Sequence, residues 1–508
     1  MSKFYITTPI YYVNASPHIG HAYTSIICDC MARFKRLGGE QVYYLTGTDE
    51  HGEKVNQAAK ASGEDVSGFV DRVVGNFKKL WKDLDVSYDF FIRTTQNEHK
   101  EVVRKVITLL HSKGDIYKAK YQGFYCMPCE SFWTPTQVKD AGGVCALCKR
   151  EVEKIEEENY FFKLSKYEGW LKSYLKKNPS FIQPKTRYNE VKGFLDNNVL
   201  ADLCISRPKS RVSWGVEFPL DASYVVYVWF DALINYISAV GYGSDDDKFK
   251  QWWPADLHLI GKDILRHHAI FWPVMLHALG VSLPRVIFAH GWWKVEEEKM
   301  SKSKGNIVNP YTLIKDVGTD ALRYFLLREI SPGADGNFSY KAVVNRINSD
   351  LANDLGNLVY RTLNMAQKYF DGKVTARKCS LPAQFKKTLA PLAQNYAKYM
   401  DSLNFPAALD LVFAFVRVMN KYIEDTKPWA LWKEKETSRI EEFLYALLEG
   451  IRIVSVYLYP FMPAAAQAIL RQLGLKEELL SLRECKWAQK ETYSIKKEKP
   501  LFPRIDVD

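Results

Sequence analysis

The fold is decided near the amino terminus by residues 3–49, KFYITTPIYYVNASPHIGHAYTSIICDCMARFKRLGGEQVYYLTGTD. The segment opens with β-branched and aromatic residues, which is typical of a strand. Ser16 and Pro17 then predict the start of a helix, with Ser16 as the N-cap and Pro17 in the first turn. A second strand is predicted over residues 41–48. Two strands joined by a helix form a βαβ unit, the beginning of a parallel sheet.

The alternation of strands and helices is interrupted after about residue 117 and returns near residue 224. The interruption holds four closely spaced cysteines, whereas 224–230, 256–260 and 285–293 again resemble buried strands, the first of them followed by a helix capped by Asp231. From about Asn345 the apolar spacing is helical. We therefore predict an α/β fold in which a Rossmann-like parallel sheet is split by an insertion and followed by an α-helical bundle domain.

Length and composition exclude several classes of protein. A chain of 508 residues is too long for one ordinary core, so two to four domains are expected. The sequence has no apolar run near the roughly 18–20 residues of a membrane helix and no signal peptide. Nine cysteines without secretory features argue against a disulfide framework and favour the cytoplasm. The net charge of +11 fits a polyanionic partner and a solvated basic surface equally well.

The first candidate site is the sequence Pro17-His18-Ile19-Gly20-His21, at a predicted strand-to-helix turn. His18 and His21 are three residues apart, so their side chains share one face of the first helical turn. Gly20 leaves room for a ligand, and the helix N-terminus attracts negative charge. The pattern favours a phosphate site, although histidines at a helix start also serve as capping or surface groups.

A second candidate is the loop Lys299-Met300-Ser301-Lys302-Ser303, about 280 residues further along the chain. Its lysines and hydroxyls suit a triphosphate, whose charge they would neutralise. An exposed basic loop with no ligand would look the same. The two motifs in this order are more specific than either alone.

Cys126, Cys129, Cys145 and Cys148 form two CxxC pairs, a spacing that is typical of a structural zinc site. Four thiolates complete a tetrahedron and leave no position for a catalytic water. We therefore predict a zinc knuckle within the insertion.

The paired motifs resemble the HIGH and KMSKS signatures of the class I aminoacyl-tRNA synthetases. Further segments are similar to the methionine-specific family of that class: TPIYYVN at 8–14, LTGTDEHG at 45–52, VWFDA at 228–232, IGKDI at 260–264 and DLGNL at 354–358. The resemblance extends from residue 4 to the tail at 500–503.

This resemblance implies an enzyme that activates L-methionine with ATP, releases pyrophosphate and transfers methionine to the 3′ end of tRNA(Met). Catalysis would rest on the four charged or polar groups His18, His21, Lys299 and Lys302, with Mg²⁺ accompanying the triphosphate. The same four residues together with Gly20, Gly261 and Asp263 would bind ATP, although Asp263 could be a plain N-cap.

The methionine pocket is also implied by the resemblance, residue by residue. Aromatic and aliphatic walls suit a polarisable thioether, and a buried carboxylate suits the ammonium group. The pocket residues would be Ile10, Tyr12, Asp49, Trp229, Leu233, Tyr236, Ile264 and His268. His267 departs from the family pattern, which has Phe there, and this puts the polarity of one pocket wall in doubt.

The helical domain would read the anticodon through Asn357, Arg361, Pro428 and Trp429, since amide, guanidinium and indole groups recognise unpaired bases. The resemblance implies a catalytic domain in two halves, at 1–117 and 226–344. A connective insertion at 118–225 separates the halves, and an anticodon-binding domain follows at 345–508. Because no dimerising module follows the helical domain, we expect a monomer. We also expect a cytoplasmic protein that makes no membrane contact.

Three alternatives remain open at this stage. A synthetase for leucine, isoleucine or valine would carry a longer editing insertion, and one for cysteine would place zinc at the amino acid. A small nucleotidylyltransferase shares the histidine turn but needs neither the zinc knuckle nor the helical domain. A non-catalytic RNA-binding relative is disfavoured by the intact histidines and lysines.

Overall fold

Two segments that are distant in sequence build one parallel sheet in the computed structural model of the protein. The structure describes residues 2–146, 148–295, 298–299, 308–375, 380–476 and 480–506, with the backbone alone at 298–299. The first segment contributes four strands and four helices: β1 (Lys3–Thr7), β2 (Tyr11–Tyr12), α1 (Ile19–Leu37), β3 (Gln41–Asp49), α2 (Glu53–Ser62), α3 (Val66–Asp83), β4 (Phe90–Arg93) and α4 (Asn97–Ser112).

The next part of the chain forms a separate antiparallel sheet in the order β6-β5-β7-β9. Its short strand β8 instead joins the edge of the main sheet, and β10 pairs with β11. The elements are β5 (Ile116–Cys126), β6 (Ser131–Trp133), α5 (Pro135–Asp140), β7 (Glu153–Phe162), α6 (Glu168–Lys177), β8 (Ile182–Gln183), α7 (Lys185–Asn197), β9 (Leu203–Cys204), β10 (Ser206–Pro208) and β11 (Tyr224–Val226).

The second segment of the main sheet adds two strands and four helices: α8 (Val228–Leu233), α9 (Asn235–Ser238), α10 (Asp246–Trp252), β12 (Leu257–Gly261), α11 (Trp272–Leu279) and β13 (Ile287–His290). The sheet runs β3-β1-β12-β13-β8, with β2 and β4 also paired to β3, and every pair is parallel. The strand order reverses between β1 and β12. Ligands bind at the carboxyl ends of strands beside such a reversal.

The remaining chain is mostly helical. It contains β14 (Trp293–Val295), β15 (Glu298–Lys299), α12 (Pro310–Val317), α13 (Thr319–Arg328), β16 (Gly336–Phe338), α14 (Tyr340–Arg346), α15 (Asn357–Phe370), β17 (Lys373–Thr375), α16 (Ala383–Asp401), α17 (Phe405–Thr426), α18 (Pro428–Lys433), α19 (Thr437–Leu458), α20 (Pro463–Gln472) and β18 (Thr492–Ser494). A π-helical stretch at Ile347–Gly356 joins α14 to α15. These elements confirm the predicted α/β sheet with a following helical domain.

The two faces of the sheet support different parts of the molecule. Successive residues of a strand point to opposite faces, so Ile6 and Tyr5 of β1 enter two different hydrophobic clusters. The Ile6 cluster continues through α1 into the helical domain, where it includes Tyr396. The Tyr5 cluster includes Phe162 of the insertion. Each appended unit therefore shares a core with one face of the sheet.

Two local predictions were wrong. The N-cap of α1 is His18 rather than Ser16, because the His18 ring accepts the N–H of Gly20. Residues 224–230 are not one buried strand of the main sheet. They begin with β11, antiparallel to β10, and enter α8 at Val228 before the predicted cap at Asp231. A short apolar run has no period that separates a strand from a buried helix.

Candidate active site

Two stacked histidines open α1 at the carboxyl end of the central strands. The Nδ1 atom of His18 accepts the N–H of Gly20 at 3.0 Å, and Nδ1 of His21 accepts the N–H of His18 at 3.1 Å. The two rings stack with their centroids 3.8 Å apart and their planes inclined by 27°. These reciprocal bonds form a capping box. The His18 imidazole takes the place of the usual N-cap hydroxyl, and the His21 imidazole takes that of the usual carboxylate.

The capping bonds decide which nitrogen of each neutral ring carries a proton. A nitrogen that accepts a backbone N–H is unprotonated, so the proton of His18 and of His21 lies on Nε2. Each ring is therefore oriented to donate from its far side. A Cβ at Gly20 would come within 2.9 Å of Cε1 of His18, so this glycine accommodates the His18 ring itself.

The carboxyl ends of β12 and β13 lie beside this pair. Gly261 and His290 are register partners, and Oγ1 of Thr24 in α1 lies 2.8 Å from Nε2 of His290. The Nδ1 atom of His290 lies 2.7 Å from the carbonyl of Gly291, which it serves as a donor. This bond directs Nε2 of His290 to accept from Thr24, and so fastens α1 to the end of β13.

Asp263 is exposed just beyond β12, where its Oδ1 accepts the indole N–H of Trp292 at 3.1 Å. A Cβ at Gly261 would lie 2.6 Å from the same oxygen. The absence of a side chain at 261 therefore allows the Asp263 carboxylate to lie close against the strand end. The predicted nucleotide residues Gly261 and Asp263 are adjacent in space.

The described residue that follows the lysine motif contacts the start of α1. Lys302 and the side chain of Lys299 lie outside the described residues. The carbonyl of Val308, the first described residue after the loop, accepts the N–H of Ile19 at 3.3 Å. On the other side, Val295 of β14 pairs with Glu298 of β15. The carboxyl end of the loop is therefore bonded to the first residue of α1.

The amino-terminal base of the loop is held by Asp335. Lys262 places Nζ 2.6 Å from Oδ1 of Asp335, and Lys294 of β14 places Nζ 3.1 Å from Oδ2. The N–H of Trp292 donates to the same carboxylate at 3.0 Å, and Lys262 lies over the Trp292 ring. These contacts join β14 to the end of β12.

The residues predicted to bind an amino acid side chain meet in one hydrophobic cluster. Tyr236 donates its hydroxyl to Nε2 of His268 at 2.7 Å, while Nδ1 of His268 lies 3.0 Å from the carbonyl of Ile264. Burial lowers the pKa of His268 to about 4, so its imidazole is neutral at neutral pH. The cluster contains the predicted residues Ile10, Tyr12, Trp229, Leu233, Tyr236 and Ile264.

Asp49 ends β3 beside Tyr12, its register partner in β2. It is 3% exposed, and among the described residues Oδ1 of Asp49 has no hydrogen-bond partner. Burial raises the pKa of Asp49 well above its ordinary value, and the nearby carboxylates of Asp231 and Glu130 raise it further. A buried carboxylate with one unpaired oxygen beside other acids is suited to receive a cationic group.

His267 stacks on Trp229 with ring centroids 3.7 Å apart and an interplanar angle of 19°. Burial, together with the neighbouring His268 and Arg266, lowers the pKa of His267 to about 3. Its Nδ1 is buried and, within the described part of the chain, has no partner. The departure from the family pattern therefore leaves a neutral aromatic ring with one unsatisfied polar atom.

A buried chain of polar groups behind Asp49 was missed by the sequence analysis. Asp231 accepts from His51 at 2.7 Å and from His99 at 2.8 Å, and Nδ1 of His99 contacts Ser238 at 2.8 Å. Burial opposes ionisation of Asp231, but the two histidines outweigh it and lower its pKa to about 2. The three residues come from separate segments, so sequence spacing carries no signal of their contact.

The four cysteines predicted to bind metal converge at the end of β5. Their sulfurs all lie within 4.8 Å of one another, and the group could hold a metal ion. The Sγ atoms of Cys126 and Cys148 are 3.6 Å apart, and those of Cys129 and Cys145 are 3.9 Å apart. Hydrogen bonds from Cys129 and from the other two thiols together lower the pKa of the Cys126 thiol to about 5, although burial opposes this shift.

Family models and known relatives match nearly the whole chain. The family model described as "tRNA synthetases class I (M)" matches residues 4–152 and 134–363, and that of the "Anticodon-binding domain of tRNA ligase" matches 384–504. The methionine–tRNA ligase of Caldanaerobacter subterraneus subsp. tengcongensis is 49% identical over 99% of this chain and 79% of its own length. That of Thermotoga maritima is 45% identical over 99% of this chain and 81% of its own length. The chain belongs to the methionyl-tRNA synthetase family.

Solved structures agree with this family assignment. The Mycobacterium tuberculosis methionyl-tRNA synthetase in complex with methionyl-adenylate is 40% identical and superimposes with a TM-score of 0.94 over 99% of this chain and all of that one. The apo form of the same enzyme gives a TM-score of 0.87 at 36% identity, over 100% of this chain and 99% of that one. The family predicted from the sequence is thereby confirmed.

The predicted anticodon residues of this synthetase lie on two helices of the helical domain. Asn357 and Arg361 are one turn apart on α15, and Arg361 donates to Glu424 at 2.6 Å. Pro428 is buried at the start of α18, whereas Trp429 is 45% exposed. An exposed indole is not part of the core, so it can stack with a base. Throughout the described ranges, every helix is too short or too polar to cross a membrane.

Proposed function

We propose specific roles for the described residues in the reaction of the methionyl-tRNA synthetase family. The chain is an aminoacyl-tRNA synthetase. It activates methionine with ATP to form methionyl-adenylate, and it then transfers methionine to tRNA. The observation that carries the assignment of residues is a buried carboxylate oxygen of Asp49 that has no hydrogen-bond partner in the described structure and lies beside Tyr12 of the predicted pocket.

Methionine binds with its ammonium group on Asp49 and its thioether against the aromatic walls. Asp49 offers an unpaired acceptor, and a charge-assisted bond in a buried site is stronger than a neutral one. Trp229 and Tyr236 supply polarisable faces, which suit a sulfur atom. The carboxylate of methionine is then directed toward the reversal point of the sheet, where ATP binds.

His18 and His21 stabilise the charge that develops on the α-phosphate when the methionine carboxylate attacks it. Both Nδ1 atoms accept backbone N–H groups, so Nε2–H is the donor that each ring would direct at the phosphate. Donors fixed in advance cost no reorganisation during the reaction. The carboxylate is the nucleophile and pyrophosphate the leaving group, so no protein nucleophile is required.

Lys299 and Lys302 hold the β- and γ-phosphates, and Gly261 and Asp263 bind the ribose. The described residues on either side of the loop, Lys294 and Val308, contact Asp335 and Ile19, which supports a position of the loop over the same cleft. Mg²⁺ accompanies the triphosphate and neutralises part of its charge.

The cysteine group binds one structural zinc ion. Four thiolates at about 2.3 Å from a tetrahedral zinc ion lie about 3.8 Å from each other. The measured sulfur separations of 3.6 and 3.9 Å fit this arrangement. Cys126, Cys129, Cys145 and Cys148 would fill the coordination shell, so the ion supplies structural stability alone.

The anticodon is read by Asn357, Arg361, Pro428 and Trp429. We retain the division into a catalytic domain at 1–117 and 226–344, an insertion at 118–225 and an anticodon-binding domain at 345–508. Strand β8 then extends the catalytic sheet from within the insertion. The monomeric state and the cytoplasmic location stay predictions from the sequence.

The roles of the two domains are tested by separating activation from charging. His21→Ala should slow methionine-dependent exchange of pyrophosphate into ATP by about 100-fold, the cost of one fixed donor. Trp429→Ala should leave this exchange unchanged and slow the charging of tRNA. The exposed His111 of α4 gives the matched control His111→Ala, which should change neither step.

Specificity is tested with the same exchange assay across the amino acids. Methionine should support rapid exchange, whereas leucine and cysteine should not. Comparable exchange with leucine would contradict the pocket assignment. Equal losses of exchange and charging in Trp429→Ala would contradict the assigned roles of the two domains.

A further inference from the structure

The carboxylate of Glu130 joins the cysteine knuckle to the wall of the methionine pocket. Glu130 directly follows Cys129 and is 4% exposed. Its Oε1 accepts the hydroxyl of Tyr12 at 3.3 Å and the backbone N–H of Lys54 at 2.9 Å. Its Oε2 accepts the hydroxyl of Tyr125. One buried carboxylate therefore holds groups from three separate segments, and one of them lines the pocket.

The backbone around Glu130 makes further bonds in the same direction. The carbonyl of Cys129 accepts the indole N–H of Trp229 at 3.3 Å, and the carbonyl of Glu130 accepts the hydroxyl of Tyr227. Glu130 has a φ of +50°, a left-handed conformation that is unfavourable for a residue with a Cβ. Such residues are kept where the surrounding contacts require them, as they often are at functional sites.

Packing alone does not explain a buried carboxylate at position 130. A buried carboxylate is costly, and the partners of Glu130 described above are uncharged hydroxyls and an amide. A Cβ at Gly52 would lie 2.4 Å from the Tyr12 hydroxyl and 3.1 Å from Oε1 of Glu130, so the loop after β3 is also shaped around this bond. Because Tyr12 is the register partner of Asp49, its orientation determines the space beside the ammonium site.

We propose that Glu130 is a positioning residue for methionine: its carboxylate fixes the Tyr12 wall of the pocket against the cysteine knuckle, where the carbonyl of Cys129 already holds the Trp229 wall. This inference rests on the proposed function, because it takes these walls to contact methionine. Glu130 acts through Tyr12 and does not itself touch the substrate. Its loss should weaken methionine binding and leave the site of ATP intact.

The inference is tested first with Glu130→Ala and Glu130→Gln in the full chain. Glu130→Ala should raise the calorimetric Kd for methionine by about tenfold, because the Tyr12 hydroxyl loses its acceptor. The KM for ATP and the metal content should stay unchanged. Glu130→Gln keeps an acceptor for Tyr12 and Lys54, so it should restore the Kd to within about threefold of the parent.

A double-mutant cycle with Tyr12→Phe separates positioning from a general structural effect. If Glu130 acts through the Tyr12 hydroxyl, Glu130→Ala should change the methionine Kd by less than about twofold in the Tyr12→Phe background. An equal loss in both backgrounds would overturn the inference. So would an unchanged Kd in Glu130→Ala.

Tyr125→Phe is a matched control, because it removes the other hydroxyl from the same carboxylate. Tyr125→Phe should leave the methionine Kd unchanged, whereas Tyr12→Phe should raise it, and this comparison stands even if Glu130→Ala does not fold. Equal Kd values in the two variants would overturn the inference. If the parent chain shows no methionine-dependent exchange, the proposed function fails; if exchange is present and the Glu130 variants bind normally, only the positioning role fails.

Discussion

Asp49 shows how a single residue can be set up for a ligand by an unfavourable environment. The pKa of its carboxylate is raised because burial and two neighbouring acids disfavour the charged form. A protonated Asp49 cannot pair with an ammonium group as strongly as an ionised one. At a pH below this raised pKa, methionine binding should therefore release a proton, and methionine should bind more tightly as the pH rises through it.

This prediction is measured by calorimetry of methionine binding in two buffers with different ionisation enthalpies. Asp49→Asn keeps the shape of the side chain but cannot ionise. It should raise the methionine Kd by about 100-fold, since removing one partner of a buried charged pair costs several kcal/mol, and it should abolish the proton release. Asp246→Asn, at an exposed aspartate, should change neither quantity. Proton release that persists in Asp49→Asn would exclude this carboxylate as its source.

His267 and His268 are neighbours in sequence with opposite energetic roles. Nδ1 of His267 is buried without a partner in the described structure, whereas both nitrogens of His268 are bonded. Replacing an unsatisfied buried polar atom by carbon relieves a desolvation cost of about 1–3 kcal/mol. His267→Phe should therefore raise the Tm, and His268→Phe should lower it. A lower Tm in His267→Phe would mean that the orphaned nitrogen has a polar partner such as a bound water.

For single residues, the sequence predicts the chemistry of a site better than the contacts that its residues make. The stacking of His18 on His21 follows from their three-residue spacing, but the capping role of His18 does not, because histidine is not a common N-cap. Glu130 and the group of His51, His99 and Asp231 carry no local pattern. Their partners lie 40 or more residues away in sequence for nearly every bond, so only the folded chain brings them together.

Among the elements, the cysteine knuckle is the most predictable, because its ligands are local. It joins β5 to the following loop, and its small core contains Trp133 and Val138 beside the sulfurs. So small a cluster provides little hydrophobic stability, and the proposed metal ion would supply the rest. The knuckle should therefore lose its structure when the ion is removed, while the main sheet persists.

Cys148→Ser tests this dependence directly. The parent chain should contain one zinc ion by elemental analysis, and the variant should contain less, together with faster proteolysis within residues 126–150. Cys204→Ser is the control, because Cys204 lies in β9 and its thiol bonds to the carbonyl of Ser206 instead. Full zinc content in Cys148→Ser would exclude the four-thiolate site.

The element that sequence patterns describe least well is the return to the sheet after the insertion. Residues 224–230 are continuously apolar, and both a strand and a buried helix satisfy that pattern. The strand β8 is only two residues long and was not predicted. Its pairing with β13 depends on where the intervening chain returns, and composition does not determine that path.

At the scale of the whole molecule, a buried group of charges joins the catalytic sheet to the helical domain. Asp29 of α1 pairs with Arg323 of α13 at 2.7 Å and with Arg33 at 2.8 Å. Arg323 also donates to the carbonyls of Pro460 and Phe461, each at 3.0 Å. One guanidinium thus contacts α1 and the residues that follow α19, so the catalytic sheet and the helical domain share a buried charged junction.

Arg323→Met should destabilise this junction by about 3–5 kcal/mol, because it leaves the charge of Asp29 buried with one partner fewer. Burial opposes ionisation of Asp29, but Arg323 and Arg33 outweigh it and lower its pKa to about 2. The pair therefore stabilises the fold above the unfolded pKa of about 3.9, and this contribution is lost as the pH falls through about 2. Thermal unfolding at pH 7 should show a lower Tm in Arg323→Met, while Arg439→Met, at an exposed position of α19, should match the parent. The difference between the two variants should shrink as the pH is lowered toward 2, and a constant difference would mean that Arg323 stabilises the junction by packing and carbonyl bonds rather than by its charge.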